Sequence, residues 1–216
     1  MNSLIIRNAT IINEGISFRG DVIIEGEYIT YAGPSSTERI PEQARIIDAR
    51  GLLLIPGVID EHVHFREPGL THKGDIRSES MAAVAGGVTS FMDMPNTSPQ
   101  TVTNELIREK LATASEQSLA NYSFYIGATN SNLSEVLEAD PSAVCGIKLF
   151  MGSSTGNMLV NDETVLRDLF SRASIPLACH CESESIIKRN TAVYMEKYGE
   201  DVPVGMHPYI RSREAC

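Results

Sequence analysis

The sequence Gly57-Val-Ile-Asp-Glu-His-Val-His-Phe-Arg-Glu-Pro-Gly69 decides the interpretation of the chain. It follows the apolar run Leu52–Ile55 and ends in a Pro-Gly turn, which is typical of a buried strand that delivers its last side chains into a loop. Side chains alternate along a strand, so His62 and His64 are expected on one face and Val63 on the other. Two imidazoles about 6–7 Å apart on one strand face can hold one divalent metal ion.

The alternative is that these are two ordinary loop histidines, because His-x-His triplets are common by chance. Three features favour the metal site. The triplet lies at a predicted strand end, Arg66 follows two residues later, and further candidate ligands occur downstream.

The composition excludes several classes of partner. The chain of 216 residues has 18 basic and 28 acidic residues and a formal net charge of −10. A nucleic-acid-binding or anionic-membrane surface is not expected, since no basic run offsets the acidic excess. The start lacks the pattern of a secretory signal, and no apolar run approaches the ~18 residues of a membrane span, which predicts a cytoplasmic protein without membrane association. The four cysteines do not suggest a disulfide framework in such a chain.

Residues 1–56 predict a separate module with a small antiparallel sheet. Short apolar runs alternate there with glycine-containing turns. The predicted strands are Leu4–Ile6, Asp21–Ile24, Tyr28–Ala32, Ala44–Ile47 and Leu52–Ile55.

Residues 57–216 predict a second module, in which strands alternate with helices. Repeated βα units imply a parallel sheet with right-handed crossovers. Further strands are expected at Thr89–Met94, Tyr122–Ile126, Val144–Phe150 and Leu177–His180. Helices are expected at Ile76–Ala85, Asn104–Leu119, from a capping box at Asn132 to before Pro141, at Asp162–Ser174, at Glu184–Tyr198, and from Arg211 to the last residue.

The candidate functional side chains follow the carboxyl ends of the predicted strands. Active sites of closed βα barrels lie at that face, which favours a barrel. At roughly 30 residues per unit the second module has room for about five units, whereas a closed barrel needs eight. We therefore expect the sequence to stop in mid-domain.

Lys148 lies in an otherwise apolar strand, Gly146–Met151. Burying an unpaired ammonium is costly, so the neutral amine is favoured there. A neutral lysine reacts with carbon dioxide to give a carbamate, whose two oxygens can bridge two metal ions. The alternative is a lysine that reaches solvent or forms an ion pair.

His180 lies between Cys179 and Cys181. Alternation places both cysteines on the face opposite His180, which predicts packing roles for them and a site role for the histidine. A structural zinc site would also need a fourth ligand at close spacing.

Arg66 and Asn96 are candidates for binding an anionic substrate at the barrel mouth. His72 follows a predicted turn, and His207 precedes Pro208 in a predicted loop. Neither is expected to bind a metal ion. Asp60 and Asp93 are expected to cap or orient nearby backbone, or to orient a ligating histidine.

With these residues placed, the chain resembles the dihydroorotases, in the cyclic amidohydrolase branch of the amidohydrolase superfamily. The resemblance runs through the whole chain. Its most specific parts are Asp60–Gly69, Asp93–Thr97, Gly146–Phe150 and the His180 strand. It implies an α/β fold, namely a (β/α)8 TIM-type barrel, in which residues 1–56 are the N-terminal part of a small β-sandwich.

The resemblance also implies roles for the candidate residues. His62 and His64 would bind the more buried of two zinc ions, carboxylated Lys148 would bridge both, and His180 would bind the second. Arg66 and Asn96 would hold the carboxylate of dihydroorotate, the small-molecule substrate, whose ring amide is opened reversibly to carbamoyl aspartate in pyrimidine biosynthesis.

Two family features are missing from the sequence. A further metal-binding histidine and the general-base aspartate are expected beyond Cys216, so no catalytic base is visible and a fragment of a longer enzyme is expected. Three alternatives stay open: a hydantoinase, an allantoinase, or a non-catalytic dihydroorotase-like subunit that supports a partner such as aspartate transcarbamoylase. A homodimer is another expected assembly.

Overall fold

A computed structural model describes residues 3–35, 43–152 and 158–216. The chain forms two compact units, Met1–Gly57 and Val58–Cys216.

The first unit is a five-stranded mixed sheet. Its strands are β1 (Ser3–Asn13), β2 (Ile16–Glu25), β3 (Tyr28–Gly33), β4 (Arg45–Asp48) and β5 (Leu53–Leu54). β1, β2 and β3 form an antiparallel meander. β4 and β5 both pair parallel to β1, so the prediction of an antiparallel sheet is wrong for them. Apolar alternation predicts a strand but carries no information about the direction of its partner.

The second unit contains a parallel sheet of five strands that curls into a half-barrel. The strands stand in chain order: β6 (Val58–Val63), β7 (Val88–Asp93), β8 (Asn121–Gly127), β9 (Val144–Phe150) and β10 (Leu177–His180). The helices between and after them are α1 (Ile76–Ala85), α2 (Asn104–Gln117), α3 (Leu133–Leu137), α4 (Glu163–Arg172), α5 (Glu184–Tyr198) and α6 (His207–Ile210). The predicted α/β class with five βα units is confirmed.

Side chains that cap helix starts explain several of these boundaries. Asp75 accepts a hydrogen bond from the backbone N–H of Ser78 at 2.7 Å and begins α1. Thr103 accepts from Leu106 at the start of α2. Such caps satisfy backbone donors that have no partner within the helix, and each contributes about 1 kcal/mol.

A buried apolar layer holds the helices of the second unit against its sheet. Its members are 0 to 2% exposed, and burying each one contributes roughly 1.5–3 kcal/mol. They include Ile76, Phe91, Ile107, Phe124, Ile126, Ile147, Leu149 and Leu169.

Four local predictions are wrong. β6 is not a buried strand, because within the described residues it pairs only with β7, and Ile59 is 59% exposed. Asn132 makes no capping bond, since its side chain binds Thr129 and the carbonyls of Val102 and Gly127 instead.

The other two concern the end of the chain. Residues 211–216 form turns rather than a helix. His207 begins α6 instead of lying in a loop. No helix in the described part of the chain is long and apolar enough to cross a membrane.

Candidate metal and substrate site

The predicted site residues lie at the carboxyl-terminal side of the half-barrel sheet. β6 carries His62, and His64 follows directly after its last residue. Asn96 follows β7, Lys148 lies within β9, and His180 ends β10. Because all five strands are parallel, these carboxyl ends meet along one edge.

The rings of His62 and His64 are close neighbours. Their centroids are 5.3 Å apart, and the planes are tilted by 57°. Both residues are exposed in this structure. The protein atoms around each imidazole still exclude part of its water, and this partial burial is the main cause that lowers its pKa below the ordinary value of 6.5. Neutral imidazoles, the form that binds metals, are therefore favoured at neutral pH.

Asn96 holds His64 and Arg66 together. In the tautomer with hydrogen on Nδ1, His64 donates to Oδ1 of Asn96 at 2.8 Å, which leaves the lone pair of Nε2 for another ligand. The Arg66 guanidinium donates to the main-chain oxygen of Asn96 at 3.4 Å. The two oxygens of Asn96 arrange this corner, and its expected binding of substrate through the side-chain amide donor stays a prediction. Its side-chain NH2 makes no hydrogen bond to any residue within the described ranges.

A buried ion pair supports the same corner from behind. Asp93 accepts a hydrogen bond from the backbone N–H of Phe65 at 2.9 Å, and its other carboxylate oxygen lies 2.6 Å from Nζ of Lys110. Both side chains are almost completely buried. Removing one partner of such a pair costs about 3–5 kcal/mol, because it leaves a buried charge.

Sequence reasoning missed Lys110, although a signal was present. Lys110 lies three residues after Ile107 and four before Ala114, which places it on the buried face of α2. A charged residue at such a position calls for a buried partner.

Lys148 is 2% exposed and lies with its ammonium 4.9 Å from the ring centre of Phe150. In the described part of the chain its Nζ makes no hydrogen bond or ion pair. Burial is the main cause that lowers its pKa, so a larger fraction of Lys148 is in the nucleophilic neutral amine form than in an ordinary lysine. The alternative that Lys148 forms an ion pair is therefore not seen among the described residues.

His180 is held by a carboxylate that sequence reasoning also missed. Its Nε2–H donates to Glu182 at 3.0 Å, and Arg211 pairs with the other oxygen of Glu182. The hydrogen bond from Arg211 is the main cause that holds the pKa of Glu182 below its usual value. A histidine bonded to a carboxylate through Nε2 keeps the lone pair of Nδ1 for a ligand.

Electrostatics link these residues. After burial, the charge of Lys148 is the next cause that lowers the pKa of His62, so the lysine of β9 lies close enough to act on the histidine of β6.

The neighbouring cysteines differ from each other. Cys179 packs against the core, as predicted, but Cys181 is exposed, and the prediction that it packs is wrong. All four cysteines are free.

The donor set can be tested against a divalent metal. No three His, Cys, Asp or Glu side chains converge on one point anywhere in the described ranges. The nitrogen donors that do lie together are His62 and His64, so a closed coordination shell needs oxygen donors as well. Lys148 is buried and has no anionic partner in the part of the chain that the structure describes, and it fits this need if it carries a carbamate.

A family comparison identifies the chain. The model of the family described as "Amidohydrolase family" matches residues 53–193. The chain belongs to the amidohydrolase family. This places the His62–His64 corner, Lys148 and His180 within the matched residues.

Named amidohydrolase relatives are similar along most of the chain. An allantoinase of Solibacter usitatus is 36% identical over 88% of this chain and 42% of its own length. A dihydroorotase of Pelobacter propionicus is 34% identical over 86% of this chain and 44% of its own length. The chain thus spans less than half the length of these curated relatives.

The fold also matches a solved structure. The L-hydantoinase (dihydropyrimidinase) from Arthrobacter aurescens superposes with a TM-score of 0.89 and 24% identity, over 100% of this chain and 48% of the other. At this identity the likeness supports the half-barrel fold, and the predicted fold class is confirmed.

Proposed function

We propose that this chain forms the metal-binding part of a cyclic amidohydrolase, and specifically of a dihydroorotase. One observation carries the proposal: two adjacent histidines lie along the same edge of a parallel sheet as a buried lysine that has no anionic partner among the described residues. The family assignment and the dihydroorotases among its relatives support it.

The proposed ligands are His62, His64 and His180, with Lys148 carboxylated on Nζ as the bridge between two zinc ions. Bound zinc supplies Lewis acidity toward the amide carbonyl and activates water near neutral pH. The chain's residues supply the geometry. Asn96 fixes the His64 tautomer, and the apolar surroundings of Lys148 favour the amine that accepts carbon dioxide.

Arg66 is the proposed clamp for the substrate carboxylate. Its guanidinium is held at the carbonyl of Asn96, beside His64. Arginine binds carboxylates through two parallel hydrogen bonds, so this placement supports dihydroorotate, whose ring carries a carboxylate.

Allantoinase is the second candidate, because four allantoinases are 32 to 36% identical to this chain. Allantoin carries no carboxylate, so it offers Arg66 no anionic partner. The two candidates therefore differ in what they require of this one arginine.

The test is turnover of dihydroorotate, allantoin and hydantoin by the protein purified from its own cells, together with its zinc content. We expect dihydroorotate turnover and about two zinc ions per chain. Allantoin or hydantoin turnover without dihydroorotate turnover would replace the substrate assignment. Absence of both zinc and turnover would support the non-catalytic subunit instead.

A further inference from the structure

The loops that follow β6 and β7 are joined at several points. The N–H of Met94 donates to the carbonyl of Val63 at 3.0 Å. Phe65 donates to Asp93, and the side chains of His64 and Asn96 are bonded to each other. The backbone on both sides of His64 is thus held by β7 and the residue after it.

The bond from Phe65 to Asp93 lies in the protein interior. Phe65 is buried, and its N–H lies between His64 and Arg66 in sequence. Arg66 adopts a left-handed backbone with φ of 70°, which most residues avoid. The carboxylate of Asp93 fixes the N–H of Phe65, the residue before Arg66. It therefore restricts the loop next to this unfavourable backbone conformation.

Lys110 fixes that acceptor. Its ammonium contacts Asp93 at 2.6 Å, donates to the carbonyl of Met94 at 3.3 Å, and lies 4.7 Å from the ring centre of Phe124. One buried cation from α2 therefore holds both the side chain and the adjacent main chain at the end of β7. Neither Asp93 nor Lys110 contacts a proposed metal ligand directly.

We propose that Asp93 is a positioning residue, which sets the metal affinity of His64 and the placement of Arg66 through the backbone N–H of Phe65, with Lys110 as its buried counter-ion. This inference rests on the proposed metal site for its functional consequence. The hydrogen bond from Phe65 is its structural part, and that part can be tested without metal.

Two double variants separate positioning from simple stability. Asp93→Asn/Lys110→Met removes both charges but keeps an oxygen acceptor for Phe65. Asp93→Leu/Lys110→Met removes the charges and the acceptor. Apolar residues of similar size often replace a buried ion pair without loss of stability, so both variants are expected to fold. They differ only at residue 93.

The first measurement is hydrogen exchange at the Phe65 amide in the metal-free protein. Relative to the asparagine variant, we expect the leucine variant to exchange about 5- to 10-fold faster, which corresponds to one lost hydrogen bond. The second is zinc affinity by competition with a chelator. We expect the leucine variant to bind zinc on the order of tenfold more weakly, as for other groups that orient metal ligands, and the asparagine variant within about twofold of wild type.

Equal exchange and equal zinc affinity in the two variants would overturn the inference. If the wild-type chain binds no zinc, the proposed function fails, yet the exchange experiment still decides the role of Asp93. Should the leucine variant fail to fold, Asp93→Ala/Lys110→Met replaces it as the variant without an acceptor.

Discussion

The two sides of the candidate site differ in how completely their polar groups are satisfied. On the histidine side, formed by His62, His64, Arg66 and Asn96, hydrogen bonds join the loops after β6 and β7, and a buried ion pair supports them. On the lysine side, Lys148 is more deeply buried but has no hydrogen bond or ion pair with any described residue.

For the proposed metal site, this difference indicates two ways in which the chain prepares its ligands. The histidine side is arranged by the folded chain itself, so a metal ion would meet ligands already in place. The lysine side keeps a basic group in a place that disfavours its charge, and a chemical change of that group would relieve the cost. The predictions below test this contrast, from the largest expected effect to the smallest.

Removing a histidine ligand should have the largest effect. We expect His62→Ala to lower zinc affinity by more than 100-fold, since one of few nitrogen donors is lost. Cys181→Ala, close to the lysine side but exposed, is the control and should bind zinc like wild type. Zinc content after dialysis measures both. Loss of zinc in the cysteine variant with retention in the histidine variant would refute the ligand assignment.

Lys148→Met should separate zinc binding from stability. We expect the variant to lose the second zinc ion, yet to be equally or more stable than wild type in the metal-free state, because it removes a buried charge that has no partner among the described residues. Urea unfolding and zinc titration measure the two quantities. A clear loss of stability in the metal-free variant would mean that Lys148 has a structural partner.

The same pair of proteins should respond differently to pH. Burial lowers the pKa of Lys148 from its ordinary 10.5, so between the folded and unfolded pKa values the unfolded chain binds more protons. The metal-free wild type should therefore gain unfolding free energy relative to Lys148→Met as pH rises toward about 10. Urea unfolding between neutral and alkaline pH, without carbon dioxide, tests this. A constant difference between the two proteins would contradict the lowered pKa.

Arg66→Lys should have an intermediate effect that depends on substrate. Losing a bidentate contact costs about 1.5–3 kcal/mol, so KM for dihydroorotate should rise roughly 10- to 150-fold in the catalytically competent protein. Turnover of hydantoin, which lacks the carboxylate, is the internal control. An equal effect on both substrates would remove Arg66 from the proposed recognition.

Asn96→Leu should have the smallest effect. Without its amide oxygen His64 loses its orienting partner, and zinc affinity should fall about tenfold. The matched control is Asn121→Leu, which replaces an exposed asparagine at the amino end of β8 and should leave zinc affinity unchanged. Unchanged zinc affinity in the Asn96 variant would mean that the histidine side is not arranged in advance by this hydrogen bond.

Much of the second unit could be predicted from sequence, because its signals are local. Ile76–Ala85, Val144–Phe150 and Leu177–His180 have the predicted bounds, since apolar periodicity and flanking turn residues mark them. The adjacency of His62 and His64 followed from strand alternation alone.

What sequence reasoning missed depends on contacts between distant elements. Lys110 finds Asp93 across 17 positions, and Glu182 finds Arg211 across 29. Side-chain type and spacing do not reveal such partners. The parallel pairing of β4 and β5 with β1 is a similar case, because it depends on how the chain returns to the sheet.

The most direct test of the central claim is carbamate formation at Lys148. The chain would be incubated with zinc and ¹³C-bicarbonate, and examined by ¹³C NMR beside Lys148→Met. We predict a carbamate signal and bound zinc in the wild type, with the signal absent from the variant. Zinc bound equally by both proteins, without a carbamate signal in either, would contradict the account.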